Sequence, residues 1–177
     1  MLDLAVAYNR YKYLGNEFLT WLWFMMETDK PGLAPAGAEG MDLAVGGRIV
    51  LQNSRHNREE TVTIKGDGAG LEEGVLALKK GALVTEISLV LRNPESEWRF
   101  AVKGESLNIS SLKPPEKSPA EAAEDMEQRV LEQLEHVERA AGLLHHLYRQ
   151  FIQLRLSQDW EKAEIPKIRR WIRQAAS

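Results

Sequence analysis

Few side chains in this sequence are equipped for covalent chemistry. The chain has four histidines, His56, His136, His145 and His146, and no cysteine. That excludes a thiolate nucleophile, a disulfide and cysteine-ligated zinc. His145 and His146 are adjacent, and neighbours on a helix point about 100° apart, so a helix does not offer both to one metal ion. No Asp or Glu stands one turn away to complete such a site. His136 and Glu132 are one turn apart, with Glu135 and Glu138 close in sequence, but the acidic face of an amphipathic helix supplies such pairs without a metal. Gly66-Asp67-Gly68-Ala69-Gly70 has neither the Gly-Lys-Ser/Thr ending of a phosphate loop nor the spacing of a dinucleotide fingerprint. It reads as a strand-to-helix connection. The expectation is a non-enzymatic protein with no catalytic residue, no metal site and no cofactor.

Cations give the stronger functional lead. Lys167, Arg169, Arg170 and Arg173 surround Trp171 near the C-terminus, Lys79-Lys80 close a short helical stretch, and Arg99 and Lys103 share the outward side of a strand. Phosphates need positive charge at backbone spacing rather than a special constellation, so these eight residues are the candidate DNA contacts. The competing reading is a solvated face that balances the acidic half of the long C-terminal helix. A formal net charge of -3 means that any nucleic-acid contact comes from a local patch.

The elements that would hold these residues follow from periodicity. Ser118 to Leu156 is the longest helical signal: Ser118 is a cap, Pro119 suits the first turn, and Glu121 completes a capping box. Met126, Val130, Leu134, Val137, Ala141, Leu144, Tyr148, Phe151 and Leu154 fall on one stripe. Such a rod is roughly 55–60 Å long, so part of it must pack on another long helix or on a partner. Near the N-terminus, Leu4 to Tyr13 reads as helical, with Gly15 a break and Asn16 the cap of a second helix, Glu17 to Glu27. That second helix is apolar nearly all round through Phe18, Trp21, Trp23 and Phe24, and must be covered on several sides. Its apolar run, Phe18 to Met26, is too short to span a bilayer.

Between these helices the pattern is of strands. Met41 to Val45, Gly46-Gly47 and Arg48 to Gln52 read as a hairpin, Thr61 to Lys65 as a half-buried strand, and Leu71 to Lys80 as a short helix closed by Gly81. Ala82 to Arg92 and Glu97 to Lys103 are two further strands joined at Asn93-Pro94-Glu95-Ser96. After Leu156 the chain caps again at Ser157 or Asp159, and a last helix turns Trp160, Ile165, Ile168, Trp171 and Ile172 inward, with Pro166 starting or kinking it. The expected fold is α+β: an antiparallel sheet of about five strands packed by the Trp-rich helix and the long C-terminal helix. Residues 1–113 form the core domain and residues 114–177 a C-terminal helical region.

The run Leu71 to Leu112, with Leu78-Lys79-Lys80-Gly81-Ala82-Leu83-Val84-Thr85-Glu86-Ile87-Ser88-Leu89, then Trp98-Arg99-Phe100-Ala101-Val102, then Ser110-Ser111-Leu112-Lys113, resembles the C-terminal half of the RdgC family of recombination-associated proteins. Leu14 to Phe24, and Leu154-Arg155-Leu156-Ser157 with Trp160, are similar to shorter RdgC-like proteins. The resemblance covers most of the chain, and its motifs are structural patterns rather than catalytic signatures. It implies a cytoplasmic, nucleoid-associated protein that binds single- or double-stranded DNA without sequence preference and modulates homologous recombination. Characterised members form a dimeric ring around duplex DNA and limit access of the RecA recombinase, so a homo-oligomer, a dimer, is expected and no membrane. The family's N-terminal half has no counterpart before Leu14, and contacts made by that half are not carried over. The alternative reading is a protein-interaction or oligomerisation module that uses the long C-terminal helix.

Overall fold

Helix α1 (Leu4–Thr28) runs straight through Gly15 and Asn16, where the sequence reading placed a break and a new cap. The reason is tertiary. Gly15 is buried, and a side chain on it would overlap the backbone carbonyl of Gly104. The glycine marks a close approach of the helix to the sheet rather than a helix end. The computed structural model describes residues 4–33, 42–55, 58–66, 71–92, 97–113 and 126–175.

Five strands form an antiparallel sheet in the order β2-β1-β3-β4-β5: β1 (Asp42–Arg55), β2 (Arg58–Lys65), β3 (Leu83–Arg92), β4 (Glu97–Lys103) and β5 (Ile109–Lys113). The expected hairpin at Gly46-Gly47 is instead the interior of one long strand. Pairing of β1 with β3 shifts between Val45 and Ile49, so Gly46-Gly47-Arg48 is a bulge. A Cβ on Gly46 would stand 2.7 Å from the Ser88 hydroxyl, and the Gly47 carbonyl accepts a hydrogen bond from the Gly66 amide at 3.1 Å, keeping the ladder with β2 intact. Strand β5, whose Ser111 takes a positive φ of 54°, was not among the expected strands. The turn read from the sequence at Asn93 to Ser96 and the helix start read at Ser118 lie outside the described residues.

Alternation sorts the sheet into two faces. Leu43, Ile49, Leu51, Ile64, Val84, Ile87, Leu89, Leu91, Phe100 and Val102 point to the core, and the buried Trp98 shares their face opposite Leu91. Helix α1 crosses β3 and β1 on that face, and helix α2 (Leu71–Lys79) crosses β1 and β2. Helix α3 (Met126–Leu156) sets His136, Arg139 and Ala140 against Leu91, Trp98, Phe100 and Leu112. Among the described residues no helix covers the opposite face.

The apolar belt of α1 is covered from three directions. Phe18 meets Tyr148 and Phe151 of α3 at ring distances of 5.2 and 5.6 Å. Trp23 and Phe24 meet Trp171 at 5.3 and 5.6 Å. Towards the sheet, the Thr20 hydroxyl donates to the Asn16 carbonyl and accepts from the Val84 amide at 3.0 Å. Phe18, Trp21, Trp23 and Phe24 are all at most 4% exposed, and each such burial stabilises the fold by roughly 1.5–3 kcal/mol.

Past α3, Ser157 donates to the Leu154 carbonyl and accepts from the Asp159 amide. A π-helical turn (Trp160–Glu164) follows and leads into α4 (Ile165–Ala175). Pro166 has no N–H to continue a regular ladder, and the wider turn falls directly before it. No helix among the described residues is long and apolar enough to cross a membrane.

Candidate nucleic-acid interface

Helix α4 is strongly two-sided. Ile168 and Trp171 are buried, and Trp171 is wedged edge-on against Trp23 with the rings 87° apart. Opposite to them Arg169, Arg170 and Arg173 project from one stripe, all exposed. The sequence of α4 holds no Asp or Glu, and Arg169 and Arg170 make no ion pair among the described residues. Arg173 donates from Nε to the Arg169 carbonyl at 3.3 Å, which fixes its stem along the helix. The anchor beneath is aromatic and buried: Trp171 packs on Trp23 and Phe24.

Lys167 does a different job. Its Nζ lies 3.2 Å from Oε2 of Glu164, a carboxylate only 6% exposed that also accepts from Trp21 Nε1 at 3.3 Å. An unpaired carboxylate at that depth is costly, and Lys167 supplies the missing charge. The pairing ties its ammonium to a buried carboxylate, while the Lys167 side chain itself stays 61% exposed.

Lys79 and Lys80 are exposed at the C-terminal end of α2, and α2 packs against α4. These lysines and the α4 arginines thus belong to the same, helical layer. Arg99 and Lys103 do not. Both stand on the face of the sheet opposite the described helices, and Arg99 is held by Glu97 through Nε at 3.0 Å and Nη2 at 2.9 Å. Glu97 also takes Arg92 Nε at 2.7 Å, and these two guanidinium groups, Arg92 first, hold its carboxyl below the usual carboxylate range. The eight cations read from the sequence therefore divide between two opposite surfaces.

The same face carries further cations that the sequence reading did not pick out. Arg48 is paired with Glu86 at 3.1 Å, and Arg92 also approaches Asp42 at 3.9 Å. Lys65, Lys103 and Lys113 make no ion pair among the described residues. Lys65 was within reach of period-2 alternation, since Val62 and Ile64 flank it on the inward side. Lys113 was not, because its place depends on the register Arg99↔Lys113 in a strand with a shifted ladder. Charge compensation nevertheless differs between the two surfaces. Arg48, Arg92 and Arg99 on the sheet face each have a carboxylate partner, whereas Arg169 and Arg170 of α4 make no ion pair among the described residues.

No protein-family model and no curated protein matches the sequence. His136 is stacked on Trp98 with ring centroids 3.5 Å apart and planes at 29°. Burial, and then the neighbouring Arg139, lower its pKa against the opposing pull of Glu135 and Glu132. His145 is exposed on α3, and no three His, Asp or Glu side chains among the described residues are grouped as metal ligands.

Proposed function

We propose that this protein binds DNA through the phosphate backbone, without sequence preference, and modulates homologous recombination in the nucleoid in the manner of the RdgC-like proteins it resembles. The observation that carries the binding step is the arginine stripe of α4: Arg169, Arg170 and Arg173 lie opposite the buried Trp171, on a helix with no carboxylate. Guanidinium groups match phosphate geometry by paired N–H donors. Lys79 and Lys80, on the adjacent helix, extend the same layer. None of these groups reads a base edge by itself, so affinity is expected to be insensitive to sequence.

The test is replacement of Arg169, Arg170 and Arg173 by alanine, singly and together, with binding of random-sequence duplex followed as salt is varied. Each lost phosphate contact lowers the magnitude of the log K against log salt slope by about 0.9, and the loss is uniform across sequences. Arg99→Ala, which removes an arginine already paired with Glu97, leaves the slope unchanged. A triple variant with wild-type affinity and slope contradicts the proposal.

A further inference from the structure

The two edges of the sheet are finished differently. Strand β5 is short, its pairing with β4 shifts between Arg99 and Ala101, and Ser111 takes a positive φ of 54°. Such irregularity keeps a further strand from adding to that edge. Strand β2 has none of it. Its register with β1 runs unbroken from Arg58 to Lys65, and among the described residues no strand pairs with its other side. The Gly66 amide donates to the Gly47 carbonyl at 3.1 Å, so in the alternating ladder the even-numbered residues of β2 bond β1. The N–H and C=O groups of Thr61, Thr63 and Lys65 therefore point to the open side.

Helix α2 makes a wall beside this edge. Gly74 seats it closely, since a Cβ there would overlap the Ile64 side chain and the Trp23 ring, and at the other end Asn53 Nδ2 donates to the Lys80 carbonyl at 3.1 Å. Between these two fixed points lies a cleft of about 220 Å³, lined by Val62, Ala77 and the 47% exposed Leu76, with Glu73 towards one end and Lys80 with Glu60 at the other. Glu73 and Lys80 are about 10.5 Å apart along the helix, the length of three extended residues. A strand added antiparallel to β2, as every other pairing in the sheet is, places its residues opposite Ile64 and Val62 on the α2 side. The residue opposite Val62 meets Leu76 and Ala77 and must be apolar. The one opposite Ile64 reaches Glu73, which makes no ion pair among the described residues, whereas Lys80 and Glu60 offset each other at the far end. We infer that β2 takes up an extended segment of a partner protein as a sixth strand, with the pattern basic-x-apolar, the basic side chain at Glu73 and the apolar one on Leu76.

The probe is the fluorescein-labelled peptide Ser-Thr-Arg-Thr-Leu-Thr-Ser with an amidated end, followed by anisotropy against the full chain at low salt. Binding is expected, and it is expected to vanish when the Thr between Arg and Leu is N-methylated, because that N–H pairs with the Thr63 carbonyl. Thr63→Pro removes an N–H that the fold does not use, so it abolishes binding and leaves the melting temperature unchanged. Glu73→Lys weakens the peptide by about fivefold and takes up the version with Glu in place of Arg more tightly than the wild type does. No binding at low salt overturns the inference, and so does binding that N-methylation of the peptide leaves intact. A dimer that Thr63→Pro turns into a monomer also overturns it, since the edge then belongs to a second copy.

Discussion

Gly15 and Gly104 meet backbone to backbone, the first in the middle of α1 and the second just past the end of β4. A Cβ on Gly15 would overlap the Gly104 carbonyl, and a Cβ on Gly104 would overlap the Asn16 side chain. This contact brings α1 close to the sheet, where its Trp-rich half packs on β3.

Gly15→Ala is expected to destabilise the protein even though alanine favours a helix over glycine by about 1 kcal/mol. The neighbour to be displaced is backbone, and overpacking of this kind costs about 1–3 kcal/mol. Thermal melting checks the sign: a lower midpoint is expected, and a raised one contradicts the close approach.

This pair also shows where local reading of the sequence stops. Gly15 followed by Asn16 has the form of a helix end and a fresh cap, and nothing nearby in the chain reveals that a β turn will need the space. Gly46-Gly47 failed in the same way. Two glycines between apolar runs suggest a hairpin, yet here they absorb a bulge against Ser88. The strand count came out at five only because the lost hairpin strand was offset by β5. What was legible depended on periodicity: the alternation of Trp98, Phe100 and Val102, the inward Ile168 and Trp171 of α4, and the helical run to Leu156. On α3 the stripe divides along its length: Leu144 and Phe151 are buried in the core, whereas Val130, Leu134 and Val137 are exposed, and Ala140, Leu143 and Leu147 beside the stripe share the core contact. Among the cations, outward position could be read, but compensation could not, because Glu97 for Arg99 and Glu164 for Lys167 are visible only with the side chains placed.

Thr20 ties α1 to the sheet by accepting from the Val84 amide, which lies beyond the point where β4 pairs with β3, at Glu86. Thr20→Val keeps the shape and removes the acceptor. The buried N–H is left unpaired, at a cost of about 1–3 kcal/mol. Chemical denaturation is expected to show a lower midpoint with an unchanged m-value. Thr20→Ser, which retains the hydroxyl, is expected to recover most of the loss.

The His136–Trp98 stack makes docking of α3 sensitive to pH. Burial first, and then Arg139, lower the folded-state pKa of His136 below its ordinary 6.5, while Leu91, Trp98, Phe100 and Leu112 on the sheet side offer no compensating charge. Between the folded value and 6.5 the unfolded chain binds more protons, so stability rises with pH there. The contribution is fully present above 6.5 and is lost as pH falls through the folded value. Melting temperatures measured across this range are expected to drop on acidification in the wild type and to drop less in His136→Phe, which keeps an aromatic stack without a titrating group. An identical drop in both proteins contradicts the assignment.

Backbone binding by the α4 stripe is tested most directly by fluorescence anisotropy with labelled single- and double-stranded DNA of random sequence, titrated at several salt concentrations. Three phosphate contacts predict a log–log slope near −2.7, which corresponds to about a 40-fold loss of affinity between 50 and 200 mM salt. Salt-dependent binding of that steepness, lost when Arg169, Arg170 and Arg173 are replaced together, is the result the structure predicts. Absence of binding at the lowest salt, or binding that the triple replacement leaves untouched, would contradict it.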